Sequence, residues 1–229
     1  AVALESLVKD WFDYHQANAD KEAIMMAYRN TDVAAMNQLA RGYLKDDKRL
    51  SNEILVNQAE RGKILLANGE RLLFLRNENS LGVKNGQLGM IKDLKGHVIT
   101  LEMDRGDTLA FDTRDYHDFT YGYAATIHKL QGATVDQSFV LATPHFDRFI
   151  TNVALDRHRD GVEVYCGEDD FKSYEQFKQT LSRGESKILA VEFAQARGLD
   201  YALELDQGAL IESKLDFNSY YQKITREAQ

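Results

Sequence analysis

The 229-residue chain has one proline and one cysteine. A single thiol, Cys166, excludes an intramolecular disulfide, and no C-x-x-C spacing exists to build a zinc site. One free cysteine fits a reducing cytoplasm. With so little proline, turns fall to glycine, asparagine and aspartate. No apolar run approaches the roughly 18 residues of a membrane-spanning helix. G-x-x-x-x-G-K-[ST] is absent, so the chain has no phosphate-cradling P-loop of its own. H-E-x-x-H, G-x-S-x-G and clustered metal ligands are also missing, and no metal site is expected. The six histidines are scattered. Of these, His15, His97, His117 and His145 read as surface or packing residues. The N-terminus lacks an initiator methionine and is acidic and amphipathic, unlike a signal peptide. It therefore reads as the start of a piece excised from something longer.

A net charge of −8 argues against a protein that coats nucleic acid non-specifically. Most of the acidic excess lies beyond Asp160, where it reads as a solvated helical surface. The first 159 residues are near neutral and leave room for local phosphate sites. Residues 2–17 repeat apolar side chains (Leu4, Leu7, Val8, Trp11, Phe12) with helical spacing. "AIMMAY" at 23–28 reads as a strand buried on both faces. The following "VAAMNQLARGYL" reads as a helix, with Thr31 or Asp32 as its N-cap. This strand–loop–helix unit is the building block of a parallel sheet. From about 50 to 117 the pattern changes to short strands (70–77, 86–94, 97–104, 107–116) joined by tight turns, which predicts an inserted small β-barrel. Gly86 and Gly89 read as its turn glycines. Buried strands at 122–128 and 137–143, a helix near 146–156 and a strand at 161–167 return to α/β character. Residues 171–229 read as a helical extension.

Three polar breaks punctuate the α/β part: Arg29-Asn30-Thr31-Asp32, the stretch from Thr126 to Gly132, and Arg157-His158-Arg159. In open α/β sheets ligands gather at the carboxyl ends of strands, where the first two breaks fall. The third follows an apolar helix. Its arginines either complement that helix's C-terminal dipole or aim at a phosphate.

In this order the breaks resemble superfamily 1 helicases. "IMMAYRNTDVAAMNQLAR" resembles their motif IV, "YGYAATIHKLQGATVD" motif V and "FITNVALDRHRDGVEVY" motif VI. "GERLLFLRNENSLGVKNGQLGMI" resembles the lead into the SH3-like insert of the RecD-type branch. The wording is most similar to the helicase region of conjugative relaxases of the Ti-plasmid type. The resemblance covers about residues 5–171, fades by about 200 and offers nothing for the tail. It implies the second of two RecA-like domains, residues 1–49 and 118–170, carrying an SH3-like barrel at 50–117. ATP with magnesium would bind in the cleft against a P-loop domain upstream of residue 1, which would account for the missing P-loop and methionine.

Roles carry over by position. Arg157 matches the motif VI arginine that reaches the γ-phosphate, a finger worth roughly 10³–10⁵ in rate. Arg29 matches a second γ-phosphate arginine. Gln131 and Gly132 match positions near the nucleotide, and Lys129 serves either ligand. Thr126 and His128 match contacts to the DNA backbone, and Asn30 and Thr31 offer helix N-terminal donors to a phosphate. In the insert, Lys84 and Asn85, with Lys92, Lys95, Arg105, Arg114 and nearby aromatics, suit a single-strand groove or a solvated barrel surface. One departure stands beside the finger: Asp156 replaces the usual Thr or Ser and would pair with Arg157 or orient it. The family translocates 5′ to 3′ on single-stranded DNA in bacterial cytoplasm. Two rival readings stay open: a module read by a type IV secretion coupling protein, and a degenerate DNA-binding domain.

Overall fold

The computed structural model describes residues 2–58, 61–130 and 134–184. A parallel sheet lies at its centre. Its strands are β1 (Ala23–Ala27), β9 (Ala124–Thr126), β10 (Val135–Ala142) and β11 (His158–Cys166), in the order β11-β10-β1-β9. All pair in parallel. Every residue of β1 is buried, as its unbroken apolar run requires of a strand covered on both faces. Helix α1 (Val2–Ala17) lays Leu7, Val8, Trp11 and Phe12 against this sheet. Helix α2 (Asn30–Asp46) buries Met36, Ala40 and Leu44 beside them. The opposite face takes α3 (Arg148–Leu155) and α4 (Tyr174–Ser182), capped by Asp147 and Ser173 side chains. Among the described residues no helix is long and apolar enough to cross a membrane.

Between α2 and β9 the chain builds antiparallel structure. A hairpin joins β2 (Ser51–Gln58) and β3 (Gly62–Asn68). A five-stranded sheet follows, made of β4 (Arg71–Phe74), β5 (Leu88–Lys95), β6 (Val98–Met103), β7 (Thr108–Asp112) and β8 (Phe119–Tyr121). Its order is β7-β6-β5-β4-β8. The expected tight turns are present: Gly86, Gly96 and Gly106 all sit at positive φ, where a Cβ would be strained.

The structure corrects four expectations. The β2–β3 hairpin was not foreseen. The strand expected at 122–128 is shorter, Ala124–Thr126, and an unforeseen strand, β8, precedes it: the chain leaves the antiparallel sheet after Tyr121 and enters the parallel one at Ala124. Gly89 lies inside β5, opposite Met103 and Leu72, and is not a turn glycine. Helix α2 begins at Asn30 with Arg29 as its N-cap residue, two residues earlier than expected. The Asp32 side chain is taken by the Arg29 guanidinium at 2.8 and 3.1 Å, so it does not cap the helix. Most of the helical extension expected to 229 lies outside the described residues.

Candidate functional site

Parallel pairing gives the central sheet two distinct edges. Ala27 is level with Thr126, Leu141 and Tyr165 at the carboxyl edge, and Val135 is level with His158 at the amino edge. Six residue steps along β10 separate these levels, about 20 Å at a rise of about 3.3 Å per residue.

The carboxyl edge collects Arg29, Asn30 and Thr31 from the start of α2, and His128 from the turn after β9. Thr126 is 6% exposed. Its carbonyl accepts the Lys129 N–H at 2.9 Å, so its contribution is the turn that presents His128. Tyr28 lies between two imidazoles, parallel to His145 at 5.5 Å and edge-on to His128 at 6.2 Å. Sequence reasoning set His145 aside and did not single out Tyr28. The signal available was a ring or imidazole immediately beyond each of three strands.

Arg157 stands at the other edge, between α3 and β11. Its Nε donates to the Val153 carbonyl at 2.9 Å, so it does complement the helix end. Its own carbonyl accepts the Val135 N–H at 2.9 Å, which ties motif VI to the strand following motif V. Asp156 is the C-cap residue of α3. Arg159, expected at a helix end, lies inside β11 and donates to Asp136 at 2.9 Å. Asp136 also accepts the Glu22 N–H at 2.9 Å. Arg29 and Arg157 thus stand beyond opposite edges of the sheet.

A groove of about 470 Å³ runs from the amino edge to the antiparallel sheet, lined among others by Lys84, Asn85, Arg105, Lys129 and Arg159. Gly86 closes it: a Cβ there would come within 3.1 Å of the Lys129 carbonyl. Enclosure, and secondarily the charge of Arg61, lower the pKa of the Lys129 ammonium. Two acids, Glu22 and Asp104, also line the groove, with Asp104 paired to Arg71 at 2.5 Å. Gln131 and Gly132 lie outside the described residues. The segment that holds them connects the carboxyl edge at Thr126 to the amino edge at Val135.

No protein-family model matches the chain. It is 35% identical over 215 residues to a probable conjugal transfer protein TraA of Sinorhizobium fredii, covering 87% of this chain and 19% of that protein. The conjugal transfer protein TraA of Agrobacterium fabrum is 34% identical over 95% of this chain, again 19% of the relative's length. The chain is homologous to one segment of the TraA conjugal transfer proteins. Coverage of 95% reaches past residue 200, so the tail, which the motifs left unmatched, belongs to the TraA-like segment too. The ATP-dependent DNA helicase Pif1 of Bdellovibrio bacteriovorus is 30% identical over 118 residues, 45% of this chain. A crystal structure of Bacteroides Pif1 in complex with ADP-AlF3 and ssDNA superposes with a TM-score of 0.57 at 23% identity, covering 85% of this chain and 49% of that one. A second Bacteroides Pif1 structure, bound to ssDNA, gives 0.54. The TraA-like segment therefore has a mixed α/β fold with a parallel sheet, shared with Pif1 helicases.

Proposed function

We propose that this chain is the second RecA-like motor domain of a conjugative helicase-relaxase that moves 5′ to 3′ along single-stranded DNA. The observation that carries the reading is the separation of two polar edges by a single sheet, joined by the motif V segment. His128, Asn30 and Thr31 face the strand at the carboxyl edge. Arg157, with Lys129 in the adjoining groove, faces nucleotide phosphates at the amino edge. The groove's lysines and arginines are the donor chemistry a polyphosphate requires. ATP with magnesium, held against a P-loop domain elsewhere in the full protein, supplies the energy for closing and reopening the two domains. Arg157 provides a planar, permanently charged fork for charge that spreads over phosphate oxygens. Its Nε anchor on Val153 and the Asp156 turn hold that fork in place, so Asp156 acts as an orienting residue. Arg29, on the far edge and engaged with Asp32, belongs to the strand-binding face. Residues 50–117 form an SH3-like insert whose Lys84-Asn85 turn closes over motif V.

The test uses the full-length protein. Arg157→Ala is expected to abolish DNA-stimulated ATP turnover while leaving binding of a fluorescent nucleotide within about threefold, since a finger acts on transition-state charge. Unchanged turnover removes Arg157 from the site. The 229-residue chain by itself, lacking G-x-x-x-x-G-K-[ST], should turn over no ATP.

A further inference from the structure

We propose that Tyr28 and His145 form a base-stacking platform for single-stranded DNA; this deepens the strand-binding role proposed above and rests on it. Strands β10, β1 and β9 are neighbours, and each is followed by an aromatic side chain: His145, Tyr28 and His128. The rings stand in the same order as the strands. Tyr28 is parallel to His145 within 11°, their centroids 5.5 Å apart, and His128 meets Tyr28 edge-on at 6.2 Å. Both imidazoles are exposed and Tyr28 is half-buried between them. None of the three belongs to the fully buried core. Phe149, in the first turn of α3 where the chain leaves this same edge, is 62% exposed, the most exposed aromatic among the large apolar residues described.

Two of the charges at this edge are engaged locally. Arg29 is held by Asp32 in a two-pronged pair, and the Asp147 carboxylate caps α3 by accepting the Ile150 N–H at 2.8 Å. Glu168, Asp169 and Asp170, just beyond β11, add negative charge at the same edge, so Coulomb attraction alone would not hold a polyanion here, whereas planar groups would find a row of rings. Nucleic-acid bases are planar, and stacking on aromatic side chains tolerates any sequence, as a translocating motor needs. The Asn30 and Thr31 backbone donors, two and three residues after Tyr28, would hold the phosphate next to the stacked base. Strand recognition at this edge then has two components, one reading planes and one reading phosphates.

The experiment compares two oligonucleotides of equal length and charge, oligo(dT) and an otherwise identical strand with abasic residues. Both are titrated against the full 229-residue chain by fluorescence anisotropy. The wild-type chain is expected to prefer the strand with bases. Combining Tyr28→Ala with His145→Ala should weaken oligo(dT) binding by about tenfold and leave abasic binding unchanged. Tyr28→Phe with His145→Phe keeps the ring planes and should keep the preference. Photo-crosslinking with a 5-iodouracil oligonucleotide should place the adduct on the peptides containing Tyr28 or His145. Equal losses on both strands, no loss on either, or an adduct confined elsewhere would overturn the platform while leaving strand binding intact. Failure of the wild-type chain to bind either strand would instead bring down the strand-binding role itself, and the platform with it.

Discussion

Arg29 and Arg157 look alike in the sequence, each a basic residue in a polar break beside a buried element. Strand direction separates them: β1 runs toward Arg29, whereas β11 runs away from Arg157. A motif match cannot register this, because it records residue types in order and not which end of a sheet they reach. A different residue contributes to the response to acid. Asp112 closes the turn after β7 by accepting the Arg114 N–H at 2.9 Å and pairing with the Arg114 guanidinium at 2.6 Å. The guanidinium contact, then the backbone N–H, hold its carboxyl down to about 2, against an ordinary 3.8. A folded-state pKa depressed in this way contributes stability above the ordinary value, and that stability is lost as pH falls from about 4 to about 2. Thermal melts at pH 7 and pH 3 should therefore show a smaller acid-induced drop for Asp112→Asn than for the wild-type chain. Equal drops would mean the turn does not couple to folding.

At the level of elements, legibility followed burial. Strand β1 was readable because all five of its residues are buried, and α1 because its apolar residues recur at helical spacing. The β2–β3 hairpin gave no such signal. Most of β2 is exposed, and Leu55 and Leu65 remain 59% and 41% exposed, so no alternation of apolar and polar residues marks a buried face. β8 was missed because only three residues, Phe119–Tyr121, pair before the chain changes sheet, too short a run for alternation to register. Gly122 makes that change possible. A Cβ there would lie 2.7 Å from Leu88 Cδ2 and 3.0 Å from the Leu72 carbonyl carbon. Gly122→Ala should cost about 1–3 kcal/mol in denaturant unfolding, the usual penalty for overpacking a filled site. Gly42, exposed inside α2 with nothing within 4 Å of its would-be Cβ, is the counterpart. There Gly→Ala should add up to about 1 kcal/mol through helix propensity alone. If both substitutions shift the midpoint in the same direction, the close packing at the sheet crossing is not what demands glycine.

Across the whole molecule, the antiparallel insert and the parallel sheet share one core. The apolar cluster containing Met25, Met36 and Ala40 continues without a break into Leu72, Phe74, Ile91 and Phe119. Polar contacts follow the same path. Trp11 meets the Tyr123 ring edge-on at 5.6 Å, and the Tyr123 hydroxyl donates to Glu70 at 2.7 Å. The fully buried Glu70 pairs with Arg41 of α2 at 3.0 Å, and the Arg41 guanidinium lies 5.6 Å from the centroid of the Tyr121 ring. Separating the insert would leave Arg41 without its Glu70 partner, a loss that costs about 3–5 kcal/mol when one member of a buried pair is removed. It would also expose one side of α2. Such an insert moves with the α/β body and does not hang from it. Trp11 fluorescence, which reports the α/β body, and hydrogen exchange in β5 and β6, which reports the insert, should therefore detect the same unfolding free energy. An insert that loses protection well before Trp11 emission changes would make it a separate unit, and the Lys84-Asn85 turn could then open away from motif V without unfolding the sheet beneath it.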